Sequence, residues 1–203
     1  MVFYRTAGGA EPVRDWLRAL PIEDRQCIGH DLAQVQFGWP VGMPVCRALG
    51  EGLWEVRSTL PSRRIARTLF FYSLGRIGVL HGFVKKTRKT PPEDIALARK
   101  RMKEMASLRK SSNPHWGSTL DDFLQEEGIY EQANATAIKR VIAWQLSEEM
   151  KKKNITKKRL AELMHTSRAQ VDRILDPLKG NVTIETLQHA ASLLGRRLRL
   201  ELV

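Results

Sequence analysis

The chain has 203 residues, enough for one or two domains with a real hydrophobic core. Lys and Arg outnumber Asp and Glu by 34 to 22, giving a net charge of +12 and a pI near 10.1, so the expected partner is a polyanion, nucleic acid before an anionic membrane surface. No apolar run approaches the roughly 20 residues that span a bilayer. "MVFYRTAGGAEPVRDW" lacks the apolar core of a signal peptide, and Cys27 and Cys46, not spaced as metal ligands, read as reduced, buried thiols of a cytoplasmic protein.

In chain order, "MVFYR" predicts an edge strand. "AEPVRDWLRAL" and "PIEDRQCIGHDLAQVQFG" place Val13, Trp16, Leu17 and Leu20, then Ile22, Ile28, Leu32 and Val35, at helical spacing. Glu23 and Asp24 suit the start of the second helix, and Gly38 and Pro40 its end. Strands follow in "VCRAL", "GLWEVRS", "RRIARTLFFYS" and "RIGVLHGFVKK", the last two joined by a hairpin at Leu74-Gly75-Arg76. "PPEDIALARKRMKEM" closes this half as a helix, acidic at its start and basic at its end, as the macrodipole favours.

The cations of this half gather where the strands end. Residues 1–104 hold 18 Lys and Arg against 10 Asp and Glu; the remainder holds 16 against 12. Alternation puts Arg63, Ile65, Arg67, Leu69 and Phe71 on one side of their strand. Arg57 and Lys85 or Lys86 on the flanking strands converge with Arg67, and Arg88 and Lys89 follow before Pro91. Such a cluster suits a phosphodiester, because guanidinium forks match phosphate oxygens and fixed cations stabilise charge that develops in phosphoryl transfer. The competing reading is a solvated basic edge that keeps the sheet soluble. His81, on the same strand as Ile77, Val79, Phe83 and Lys85, is either a structural histidine, the commoner case, or a general base. Tyr72 has the same two readings, with packing the commoner.

"LWEVRS", "RRIARTLFFY" and, most specifically, "VLHGFVKKTRKTPPEDIALARKRMKE" resemble the RelE/HigB-type toxin family, in its phage-derived branch. The resemblance implies a twisted antiparallel sheet with flanking helices, and ribosome-dependent cleavage of mRNA by attack of the 2′-hydroxyl, without a metal or cofactor. It implies Arg57, Arg67 and Lys86 as catalytic cations, with Arg63, Lys85 and Arg88 as RNA-binding neighbours. The family's C-terminal catalytic tyrosine has no counterpart in "PPEDIALARKRMKE", which turns attention to His81 as the base.

"EMASLRKSSNPHWGS" reads as a linker, placed at 105–117 between a toxin domain at 1–104 and a second domain at 118–203. Met105 stands where a separate second chain would begin. The second half is helical in pattern. "STLDDFLQEEGI" is capped by Ser118 or Thr119, and its Asp121, Asp122, Glu126, Glu127 and Glu131 make an acidic counterpart for the cations around residues 85–89. The next helix carries Ile138, Val141, Ile142, Leu146 and Met150 and closes at Asn154. "TKKRLAELMHTSRAQVDRILD" predicts a helix-turn-helix at about 156–176, capped by Thr156 and Ser167, with a further helix between Thr183 and Gly195. Ser167, Arg168, Gln170 and Arg173 then face DNA: Gln pairs with adenine, Arg with guanine, and Ser reaches phosphate. The plain alternative is a helical bundle with solvated cations.

Residues 120–146 and 155–203 are similar to the XRE/HigA-type antitoxins, which carry a Cro-like domain. That implies toxin–antitoxin contact within or between chains, autorepression through operator DNA, and a homodimer formed through the antitoxin half. "RRLRLELV" alternates as a short C-terminal strand, available to pair with a dimer mate or to extend the toxin sheet. The whole reads as an α+β toxin fused to an all-α antitoxin. A non-enzymatic DNA-binding regulator with a degenerate toxin half is the alternative.

Overall fold

The computed structural model describes residues 1–40, 45–73, 75–85, 90–106, 113–176 and 182–199. The chain divides into two compact units, Met1–Asn134 and Ala135–Val203.

The first unit is built on one sheet with strand order β2-β3-β4-β5-β1-β6. Strands β2 (Cys46–Gly50), β3 (Leu53–Thr59), β4 (Ile65–Ser73) and β5 (Arg76–Val84) form the expected antiparallel meander. β1 (Val2–Tyr4) pairs parallel with β5, so the sheet is mixed, not purely antiparallel. β1 is not an edge strand either. β6 (Trp116–Thr119), from the stretch expected as linker and cap, pairs antiparallel with it on the other side. β1 is accordingly apolar and buried throughout.

Three helices cover the sheet. α3 (Pro92–Ala106) lies on the face bearing Leu53, Leu69 and Phe71, and adds Ile95, Ala98, Met102 and Met105 to that core. α1 (Pro12–Arg18) and α2 (Ile22–Gly38) take the opposite face, where Trp16 lies against Gly82 so closely that a Cβ there would enter its ring. Trp39, just past α2, packs edge-on against Trp54 and Phe70 and also meets Tyr72, which is therefore a packing aromatic. α4 (Leu120–Glu126) packs beside α2. It is capped by Thr119, whose hydroxyl and backbone N–H exchange hydrogen bonds with Asp122 in a capping box.

α5 (Tyr130–Lys152) starts in the first unit and belongs mainly to the second. There it joins α6 (Lys157–Leu163), α7 (Arg168–Leu175) and α8 (Ile184–Leu193) around Leu146, Met150, Leu160, Val171, Ile174, Leu187 and Leu194. Thr156, Ser167 and Thr183 each accept a backbone N–H three residues on, so the caps legible in the sequence start all three helices. Residues 196–199 form no strand, contrary to the expected C-terminal one; Leu198 instead packs on the helical core, and residues 200–203 lie outside the described residues.

Candidate nucleic-acid sites

Cross-strand register places the candidate residues of the first unit in rows on the α3 face. Glu55 stands opposite Leu69, and Leu69 opposite His81. Arg57 stands opposite Arg67, and Arg67 opposite Phe83. Lys85 follows, its N–H donating to Ile65. Directly opposed side chains lie about 5 Å apart at Cβ, so two arginines there repel unless an anion sits between them. Glu55 is that anion. It is fully buried, one carboxylate oxygen accepts from Arg57 Nε at 2.7 Å, and the other lies 3.1 Å from Arg67 Nη1. The Thr90 hydroxyl, just ahead of α3, donates to Glu55 and accepts from Arg67. Arg67 is only 2% exposed, whereas the Arg57 side chain keeps 31% of its surface in solvent.

His81 Nε2 lies 2.8 Å from Asp94 Oδ1, in the first turn of α3, and its ring stacks on Phe83 at 5.6 Å. Both partners stay partly open, at 18% and 21%. One face therefore carries a histidine–carboxylate pair, an accessible guanidinium, a lysine and a buried guanidinium held by a glutamate. Among the expected residues, Arg57, Arg67, His81 and Lys85 come together here. Arg63 does not: β4 starts two residues later and Arg63 sits in a turn at φ 60°. Lys86 and Arg88 lie outside the described residues, as does Lys89. Sequence reasoning missed Glu55, Thr90 and the role of Asp94. Glu55 had a signal, two residues before Arg57 and hence on the same strand face. Asp94 reaches His81 only through the packing of α3, which no local pattern encodes.

The acids of α4 meet other cations than those near residue 85. Glu126 pairs with both Arg14 and Arg18, Glu127 with Arg25 at 3.1 Å, and Asp121 accepts from Gln36 at 2.9 Å. Asp122 serves its own helix cap.

In the second unit, α6 and α7 form two short helices joined through His165, whose φ of 51° turns the chain sharply. Val171 and Ile174 face the core, while Ser167, Arg168 and Arg173 are exposed and Gln170 half-buried on the outer side of α7. Ser167 also holds the Gln170 N–H through its hydroxyl. Asp172, which the sequence reading passed over, pairs with Lys157 at 2.6 Å and links the second helix to the first. Among the described residues no helix is long and apolar enough to cross a membrane.

No curated protein matches the chain. Two family models do. Residues 15–103 match the phage derived protein Gp49-like family (DUF891), which covers α1 through most of α3 and thus every residue of the Glu55–Arg67 cluster. Residues 145–198 match the Cro/C1-type HTH DNA-binding domain, from late α5 to beyond α8. The chain thus joins a Gp49-like domain of the phage-derived toxin family to a Cro/C1-type helix-turn-helix DNA-binding domain.

Proposed function

We propose that the protein is a fused toxin–antitoxin: a metal-independent endoribonuclease that cuts mRNA on the ribosome, restrained by a second domain that dimerises and represses its own operator. Both activities belong in the cytoplasm. The observation that carries the reading is the α3 face of the sheet, where Arg57, Arg67 and Lys85 share a side with the His81–Asp94 pair. In the reaction the 2′-oxygen attacks the adjacent phosphorus and the bond to the 5′-oxygen breaks, leaving a cyclic phosphate; the 5′-oxygen takes a proton from solvent. His81, oriented by Asp94, takes the 2′ proton. Arg57 and Lys85 hold the phosphate oxygens as their charge grows, and Glu55 and Arg67 keep Arg57 in place. Lys86 and Arg88 would extend the RNA-binding surface. Operator binding falls to Arg168, Gln170 and Arg173 on α7, with Ser167 at its start.

A second reading draws on the burial of Arg67. With that guanidinium closed off and offset by Glu55, the N-terminal domain would serve a non-enzymatic DNA-binding regulator. Expression of residues 1–106 separates the two. Growth arrest and ribosome-dependent mRNA cuts that fall by at least about 100-fold in Arg57→Ala and His81→Ala support the nuclease. Harmless expression of a folded domain supports the regulator.

A further inference from the structure

We propose that residues 113–127 form a separable clasp, and that residues 1–106 present a receptor that takes this segment without the covalent tether, from a second copy of the chain as well as from their own. The proposal concerns the contact alone and stands whether or not the N-terminal domain cuts RNA.

The contact is built like an interface between two parts. Its backbone component is strand addition: β6 pairs with β1 through Val2–Thr119 and Tyr4–Trp116, the Leu120 N–H donates to the Met1 carbonyl, and the Arg5 N–H donates to His115. Its polar anchor is Glu11, buried just ahead of α1. The Glu11 carboxylate accepts from the Ser118 N–H at 2.8 Å and from the Ser118 hydroxyl, and Arg5 pairs with it at 2.9 Å. Burial alone would raise this carboxyl; the Ser118 hydrogen bonds and Arg5 outweigh it and hold the group below its ordinary value. Gly117 admits no side chain, since a Cβ would fall on the Glu11 carboxylate and 2.9 Å from the Phe3 carbonyl.

The apolar centre is Leu120, Phe123 and Leu124, all fully buried. Phe123 meets Phe3 edge-on at 5.9 Å, and Leu124 lies over Gly29, where a Cβ would stand 2.9 Å from it. The rim is charged, with Arg14, Arg18 and Arg25 on the receptor facing Glu126 and Glu127 on the segment. A buried apolar centre inside a polar rim is the anatomy of an association surface. The segment also starts its own helix through the Thr119–Asp122 box, so little of its order depends on the receptor. Every contact named here is made by residues outside 107–112.

The test uses the full chain with residues 107–112 replaced by a protease site. After cleavage the two pieces should co-elute in size-exclusion chromatography at micromolar concentration, and an excess of peptide 113–134 should displace the C-terminal piece. Phe123→Ala should weaken the association by on the order of 100-fold or more, the scale of emptying a fully buried aromatic site. Arg25→Glu and Glu127→Arg should each weaken it roughly two- to five-fold, and the two together should restore it. This rescue separates a direct contact from a folding defect. Pieces that part at once on cleavage overturn the proposal. So do pieces whose association is indifferent to Phe123→Ala and to the charge changes, because another surface then holds them.

Discussion

Replacing Glu55 by Leu should unfold the N-terminal domain long before any other single change at the candidate site. Glu55 is fully buried and Arg67 nearly so. Removing one member of such a pair leaves an uncompensated charge in the interior, at a cost of about 3–5 kcal/mol. Arg57, already part-exposed, can turn to solvent and adds little. For the unit Met1–Asn134, an unfolding entropy of about 2.1 cal/mol/K per residue converts a loss of about 4 kcal/mol into a fall of about 14 °C in Tm. The double variant Glu55→Leu with Arg67→Met removes both charges and keeps the volume, so it should recover to within about 4 °C of the native protein. Calorimetry at pH 7 measures both. The reasoning fails if the single variant loses less than about 1 kcal/mol, or if the double variant is no more stable than the single. The double variant also separates stability from chemistry. If it folds well and cuts RNA like the native domain, the Arg67 charge belongs to the scaffold and not to the reaction.

Burial, helped by the charge of Asp31, pushes the Cys46 thiol up to about 12, so at pH 8 a thiol reagent should modify the half-buried Cys27 first and reach Cys46 only on unfolding. Arg196 and Lys152 hold Glu149 down at about 2, so its contribution to folding is present above the ordinary carboxylate range and disappears as pH falls through about 2. Arg196→Ala should move that titration back towards 4.5, read by carboxyl NMR shifts. Gln170→Ala should change preference at one or two base pairs by about 1–3 kcal/mol per lost bidentate contact. Arg168→Ala, acting on phosphate, should weaken all sequences alike and lower the salt slope by about 1; fluorescence anisotropy over a salt series checks both.

The parts of the fold that local chemistry controls were legible. The meander from β2 to β5 follows period-two alternation between turn residues, and the starts of α6, α7 and α8 follow Thr156, Ser167 and Thr183. "WGST" was not legible as a strand: it has four residues and no alternation, and all of it is half-buried. Pairing with β1 and the Glu11–Ser118 bonds make it one, and both partners lie more than 100 residues away. The same nonlocality hid the His81–Asp94 pair. It also moved β1 from the edge of the sheet to its interior, since an edge is defined by what fails to arrive beside it.

Charge was read correctly in total and wrongly in pairing, for a geometric reason. Arg14 and Arg18 lie four residues apart on α1, so both can point at one carboxylate, and Glu126 takes that place. Arg25, one helix further on, reaches Glu127. With Asp122 engaged at its own cap and Asp121 bound by Gln36, four of the five acids of "LDDFLQEEGIYE" are committed to α1, α2 and the cap rather than to the end of β5. The arginines of the first unit therefore divide by task. Arg5, Arg14, Arg18, Arg25 and Arg67 fasten the fold through buried or rim carboxylates. A polyanion that neutralised those would have to dismantle the domain, so binding should draw on Arg57, Lys85 and the cations that follow in the chain. Its salt slope should then count only those few contacts, far fewer than the net charge of +12 suggests.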